Sequence, residues 1–234
     1  GHGVKMAAEQ SKADAPRRKS RPRGPNAVRR RSTRDKLLNA TIECLHELGY
    51  HRTSTVIVTE RAGVSRGSLL HQFPTKADLM VATAQHIARQ RGEAHLEGLK
   101  GVPLGIERLE KLVDILWGEV NSPSGIARIE IMLASRSERE LAAKYAPVVD
   151  DQAEAHRRLI WSLAKALGVK NRAPIDAMVQ LYAAAIRGLA IDALFPENRA
   201  QVQAAVELLK QALVDIIRRE VAEARRAGMR VVEE

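Results

Sequence analysis

The chain has 234 residues, 45% apolar but only 3% aromatic, a composition that reads as all-α and a length that suits a small domain plus a larger one. Its net charge is +10, and eleven Lys and Arg against two acids fall in residues 1–34, so a basic tail precedes a near-neutral body; such a tail is either the footprint of a nucleic-acid binder or a solvated solubility segment. One cysteine excludes an intramolecular disulfide, no secretory h-region opens the chain, and the longest apolar stretch, Leu181 to Phe195, is interrupted by Arg187 and Asp192, so a cytoplasmic protein without a membrane partner is expected.

Residues 1–31 are rich in Ala, Pro, Arg and Lys without periodicity and are expected to form a disordered basic arm, of which Gly1-His2-Gly3 has the character of an expression scar. Ser32-Thr33-Arg34-Asp35 fits a capping box that opens helix 1, and Leu38, Ile42, Leu45 and Leu48 follow at helical spacing until Gly49 ends it. Thr53 or Ser54 caps a second, short helix ending near Ala62-Gly63. Ser65 caps a third, to about Phe73, and Thr75 with Asp78 caps a fourth, to about Arg91. Two short helices joined by a tight turn at Gly63 have the pattern of a helix-turn-helix.

Further helices follow. Pro103, Pro123 and Pro174 are read as first-turn prolines, with Ser122 as a cap. Pro147 starts or kinks a helix reaching Leu167-Gly168, Pro196 ends the one from Pro174, and Asn198 caps the last. The helix from Pro174 is apolar nearly all round, with Ile175, Met178, Val179, Tyr182, Ile186 and Leu189 on one stripe and Leu181, Ala184, Ala185, Gly188, Ile191 and Leu194 on the other. The last helix carries Val202, Val206, Leu209, Leu213 and Ile216 at coiled-coil spacing. These two helices are either the core of a monomer or, as expected here, a homodimer interface through Tyr182, Ala185, Leu189, Val202, Val206, Leu209, Leu213 and Ile216.

Residues 32–80 resemble the TetR family of bacterial transcriptional regulators. The resemblance rests on Gly49-Tyr50-His51-Arg52-Thr53-Ser54, on Ala62-Gly63-Val64-Ser65-Arg66-Gly67-Ser68-Leu69 and on Phe73-Pro74-Thr75-Lys76-Ala77-Asp78-Leu79. It departs from the family pattern at Leu70 and Gln72, where many members carry aromatic or His residues that grip phosphate, and at Thr59, where a small Ala is usual. The resemblance implies a sequence-specific regulator, chiefly a repressor, that binds a palindromic double-stranded DNA operator as a dimer. It divides the chain into the arm at 1–31, a DNA-binding domain at 32–80, and an effector-binding and dimerisation domain at 81–234.

On that reading the helix from Ser65 to Phe73 enters the major groove. Arg66 pairs with guanine or phosphate, Ser68 touches a base edge or backbone oxygen, His71 reaches a base or phosphate and Gln72 reads adenine, while Gly67 either permits close approach or is simply tolerated near the helix start; Arg66 and His71 are otherwise readable as a solvated face. Ser65 is counted with these DNA-binding residues, and Thr53, Ser54, Thr55 and Lys76 are phosphate candidates. Arg29, Arg30 and Arg31 either enter the neighbouring minor groove or steer non-specifically. The effector implied by the resemblance is a small molecule of unknown identity, for which Trp117, Arg128, Met132, Trp161, Met178 and Tyr182 are candidate contacts; Trp117, Met132, Trp161, Met178 and Tyr182 are side chains found more often in a core than against a ligand. Arg128, Glu130 and Arg136 fall on or near one helix, 123–137. Arg187 interrupts an apolar helix and needs a partner, either Asp192 or Asp176 within the chain or an anionic effector.

Other chemistry finds no support in the sequence. Cys44 reads as a buried structural thiol, the seven His lack metal-ligand spacing, and no nucleophile–base set or phosphate loop is present, so neither an enzyme nor a cofactor or metal site is expected. The alternative of the same fold regulated by a protein partner, or with no small-molecule effector, would be disfavoured by a preformed apolar cavity in the second domain.

Overall fold

The computed structural model describes residues 25–232, with side chains described for 26–228. Among these residues the chain is all-helical: α1 Pro25–Arg52, α2 Thr55–Ala62, α3 Arg66–Gln72, α4 Lys76–Gly98, α5 Ile106–Val120, α6 Pro123–Ala134, α7 Arg139–Ala166, α8 Ala173–Asp192, a 3-10 turn Pro196–Asn198, and α9 Arg199–Val232.

The expected signals set the N-terminal boundaries by hydrogen bonding. Ser54 caps α2 by accepting from the Ile57 amide at 3.2 Å, and Gly63, left-handed at φ 63°, ends it. Ser65 caps α3 through the Ser68 amide at 3.2 Å. Thr75 and Asp78 form the reciprocal capping box of α4. Ser122 caps α6, with Pro123 in its first turn.

Several expectations fail for identifiable reasons. Helix α1 is already formed at Pro25, so Ser32 sits inside it rather than opening it; Ala27 to Arg31 contain no breaker, and Thr33 bonds back to the Arg29 carbonyl at 3.0 Å. The proposed arm is therefore helical from 25, while its members Arg17-Arg18-Lys19, Arg21 and Arg23 lie outside the described residues. Helix α4 continues past Arg91 to Gly98, because His95 keeps the inward spacing and meets Glu119 of α5 at 3.1 Å. The expected domain boundary at 80 consequently falls within a continuous helix. Pro103 lies in the turn before α5, not in its first helical turn. Pro147 lies inside α7 on an exposed side, where the missing hydrogen bond is least costly. Asn198 donates to the Asp192 carbonyl at 3.4 Å instead of capping α9.

Three buried clusters organise the molecule. Leu37, Leu38, Val58, Leu69, Phe73 and Leu79 form the core of the helix-turn-helix. Ile42, Leu45, Tyr50, Met80, Ile131 and Tyr145 join α1 and α4 to α6 and α7. Leu112, Leu116, Ile175, Tyr182, Leu213 and Ile217 fill the bundle of α5, α7, α8 and α9. Helices α1 and α4 thus contribute to two cores at once.

The joint between the first two clusters is a single peptide. Gly49 adopts φ 74°, ψ 171°, which takes the next amide out of the helical ladder. The freed Tyr50 N–H donates to Glu130 Oε2 of α6 at 2.8 Å, and the Tyr50 carbonyl accepts from Lys76 Nζ at 2.9 Å. A Cβ on Gly49 would stand 3.3 Å from the same carboxylate oxygen. This conformation belongs almost solely to glycine, so Gly49→Ala is expected to cost about 2–3 kcal/mol, against about 1 kcal/mol for Gly63→Ala, which meets no neighbour. Urea unfolding of both variants checks that order; equal losses would refute the role given to the joint.

Candidate functional site

Two features stand out: the exposed surface of α3 with the start of α1, and a cavity inside the helical body. Helix α3 buries Leu69 and leaves Arg66, Gly67, Leu70 and His71 exposed, with Ser68 and Gln72 partly so. Ser68, His71 and Gln72 line an open groove whose other wall is Asn26, Arg29, Arg30, Thr33 and Arg34 of α1. Arg34 stacks on the Phe73 ring at 4.6 Å, fixing α1 against α3. Helical geometry sends Arg31 to the other side of α1, beside Asp35 and Asn39, so the three arginines do not act as one set.

The phosphate candidates separate in the same way. Ser54, Thr55 and Ser65 keep accessible side chains at helix starts. Thr53 does not: it is completely buried and its hydroxyl donates to the Gly49 carbonyl at 2.8 Å, which removes it from any outward contact. Lys76 is committed to the Tyr50 carbonyl and stacks over the Tyr50 ring at 4.0 Å, and burial lowers its pKa. Thr59 is tolerated where a smaller residue was expected because its hydroxyl bonds the Val56 carbonyl at 2.7 Å within α2. Cys44 is buried and free, and burial raises its pKa, as for an inert thiol.

The cavity has a volume of about 190 Å³. Leu116 and Val120 of α5 and Met132 of α6 supply apolar wall, with Val149 of α7 and Val179 and Ile186 of α8. The polar wall is Arg91, Arg128, Arg157 and Arg187 with Tyr145, Gln152, His156, Gln180 and Tyr182. Of the six candidate contacts, Arg128, Met132 and Tyr182 line it, and Met178 borders a small adjoining void shared with Leu116 and Tyr182. The two tryptophans are elsewhere. Trp117 turns from the Leu116–Val120 face of α5 toward a surface groove beside α6 and α9, and Trp161 packs on the bundle core. Arg136 lies beyond the end of α6 and is exposed.

Sequence reasoning missed Arg91, Tyr145, Gln152 and His156. The signal was present: Tyr145, Gln152 and His156 share one face of α7 with Val149, polar residues set into an apolar stripe. Arg91 makes an ion-pair contact with Glu119 at 3.1 Å, and His95 contacts the same oxygen at 3.1 Å. Burial, then repulsion from Arg128, brings the Arg91 pKa down to about 10. Arg187 pairs with neither Asp192 nor Asp176, the latter being held by Arg172 at 3.2 Å.

The expected dimer residues also divide. Tyr182, Val202, Val206 and Leu213 are buried within one chain and cannot meet a partner, because the 4-3-4-3 spacing on α9 is the seam against the chain's own bundle. Ala185, Leu189, Leu209 and Ile216 are partly exposed. The exposed apolar surface lies a fraction of a turn away: Leu181, Ala184, Gly188, Ile191 and Phe195 at regular helical spacing, with Leu208 of α9 at 72% exposure.

Burial, and secondarily Arg91, lowers the pKa of His156 to about 4. Burial also lowers that of His86. An unfolded histidine takes up its proton near pH 6.5 while His156 stays neutral down to about 4, so stability is expected to fall as pH drops from about 6.5 toward 4, and the lowered His86 acts in the same direction. His156→Gln should flatten that fall in part, read as urea midpoints against pH. An unchanged slope would show that the cavity histidine is not neutral in the folded chain.

Comparison with known proteins follows the same division. The family model described as bacterial regulatory proteins, tetR family, matches residues 37–83. An uncharacterized HTH-type transcriptional regulator of Mycobacterium tuberculosis is 34% identical over 113 residues, 48% of this chain and 58% of the relative. The HTH-type transcriptional regulator BetI of Escherichia coli is 37% identical over 93 residues, 39% of this chain and 46% of the relative. The chain thus spans about half the length of the curated relatives it matches. Among solved structures, a TetR-family regulator from Rhodococcus sp. aligns with TM-score 0.66 at 19% identity, covering 80% of this chain and 99% of that one. A regulator from Saccharomonospora viridis in complex with choline aligns with TM-score 0.59 at 18% identity, covering 80% and 96%. Among the described residues no helix is long and apolar enough to cross a membrane, and no acidic, His or Cys group could hold a metal ion. Residues 37–83, the helix-turn-helix, thus carry the match to bacterial regulatory proteins of the tetR family, and the body shares the all-helical fold of these solved structures.

Proposed function

We propose that the chain is a ligand-responsive DNA-binding regulator that grips a palindromic operator as a homodimer. The observation that carries this reading is the α3 surface: a Ser65-capped helix with Arg66, Ser68, His71 and Gln72 facing outward, flanked by Arg29 and Arg30. A helix of this kind fits the major groove, where Arg66 can reach guanine and Gln72 adenine. Arg29 and Arg30 are placed to neutralise phosphates beside it rather than to trail as an arm. The exposed Leu70 suits apolar contact with a thymine methyl in place of a phosphate grip. Residues from α1 to α3 and the first turn of α4 form the DNA-binding unit, with the remainder as effector-binding and dimerisation body.

The dimer face on this reading is the exposed stripe of α8 with Leu208 of α9. Gly188 meets no neighbour within the chain and leaves room for a partner helix to approach. The internal cavity supports regulation by a small molecule over a protein partner. Choline, held by the Saccharomonospora viridis protein, is a cation, and four arginines on this cavity wall make it a poor occupant here.

The test is fluorescence anisotropy against the duplex upstream of the chain's own gene, with a scrambled duplex alongside. Selective binding is expected, and Arg66→Ala should weaken it by about 1–3 kcal/mol while relaxing sequence preference. Equal losses on both duplexes would reduce Arg66 to a phosphate contact. Leu181→Glu with Leu208→Glu should convert a dimer to a folded monomer in light scattering; a persistent dimer would move the interface off α8 and α9.

A further inference from the structure

We infer that the cavity takes an organic anion, its carboxylate or phosphate group seated between the Arg128 and Arg187 guanidiniums and its apolar part against Leu116, Met132 and Ile186. This rests on the effector-binding reading above and gives the effector its chemical class.

The charges on the cavity wall do not balance. Among the described residues no carboxylate lines the cavity, whereas four guanidiniums do. Two of these have acids of their own: Arg91 contacts Glu119 at 3.1 Å, and Arg157 donates to Glu154 at 3.1 Å. The acids that could have served Arg187 on its own helix do not, since Asp176 is bound to Arg172 and Asp192 is exposed at the helix end. Arg128 and Arg187 are left lining the same cavity, near enough to repel one another, with no ion pair to an acid among the described residues. Their mutual repulsion, added to burial, lowers the Arg187 pKa.

Hydrogen-bond accounting points the same way. Arg128 Nε and the Tyr145 hydroxyl are buried and find no hydrogen-bond partner among the described residues. Tyr145 lies beside Arg128 without the alignment of a hydrogen bond, so both groups present donors to the same space. Buried donors and uncompensated buried cations are destabilising until something accepts from them. A planar carboxylate or a phosphate accepts from forked guanidinium donors in pairs and also brings the negative charge that offsets them, which a neutral or cationic group does not supply. The apolar wall and the volume of about 190 Å³ require a compact hydrocarbon portion on that anion.

Isothermal titration of the full chain with hexanoate, hexyl phosphate, hexanol and hexylamine tests this. Saturable binding of at least one anion is expected, with none for the alcohol or the amine, and the anion that binds names the headgroup. Arg128→Met and Arg187→Met, each checked for an intact unfolding transition, should weaken anion binding about ten- to a hundredfold. Binding of neither anion, equal binding of hexanol or hexylamine, or unchanged anion affinity in both variants would overturn the inference. Anisotropy on the same preparation separates it from the regulator reading. Anion binding by a chain indifferent to DNA sequence leaves this inference standing alone, and sequence-specific DNA binding without anion binding leaves only the other.

Discussion

The peptide between Gly49 and Tyr50 is the constraint on which the arrangement of the two halves depends. Its N–H ends on Glu130, eighty residues away in sequence, and the Tyr50 carbonyl accepts from Lys76. A buried amide must find a partner, and a carboxylate acceptor makes the bond one of the stronger kind, about 1.5–3 kcal/mol. The arrangement fixes where α1 ends, and hence where α2 and α3 begin, relative to α6. It also consumes Lys76 and hides Thr53, so the surface able to meet DNA contracts to α3 and the first turns of α1.

Helix α6 carries both ends of a connection. Arg128 and Met132 face the cavity, while Glu130, two residues from each, faces Tyr50 on the opposite side of the same short helix. Gly125 packs so closely on the last carbonyls of α5 that any side chain there would collide with backbone. Helix α6 is therefore held closely at its start, and it carries both Arg128 and the acceptor of the joint at Tyr50. On the proposed reading, charge arriving between Arg128 and Arg187 is felt at the end of α1 through one rigid element of three turns.

The body uses its apolar residues for two purposes. One stripe of α8, with Ile175, Met178, Tyr182 and Ile186, closes the bundle, and the other leaves Leu181, Ala184, Gly188 and Ile191 uncovered. Helix α9 turns its regular apolar seam inward and exposes Leu208. A continuous exposed apolar stripe on paired helices is costly in water unless covered, which is why the proposed dimer uses the uncovered stripe and not the seam.

Local chemistry was written in the sequence and survived folding. The caps at Ser54, Ser65, Thr75 and Ser122 and the breaks at Gly49 and Gly63 each depend on hydrogen bonds or backbone angles within a few residues, so they were legible without a tertiary fold. The outward set on α3 was legible for the same reason, once Leu69 was assigned to the core. What only the tertiary structure decided was direction and company. Periodicity finds a stripe but does not say which neighbour covers it, so Val202, Val206 and Leu213 were misassigned to a second chain. Exposure of Thr53 and Lys76 turned on Gly49 and Tyr50 carbonyls that fold back onto them. The cavity gathers residues from five helices, α4 through α8, and no spacing along a chain reveals that Arg128 and Arg187 line one cavity with no acid on its wall among the described residues.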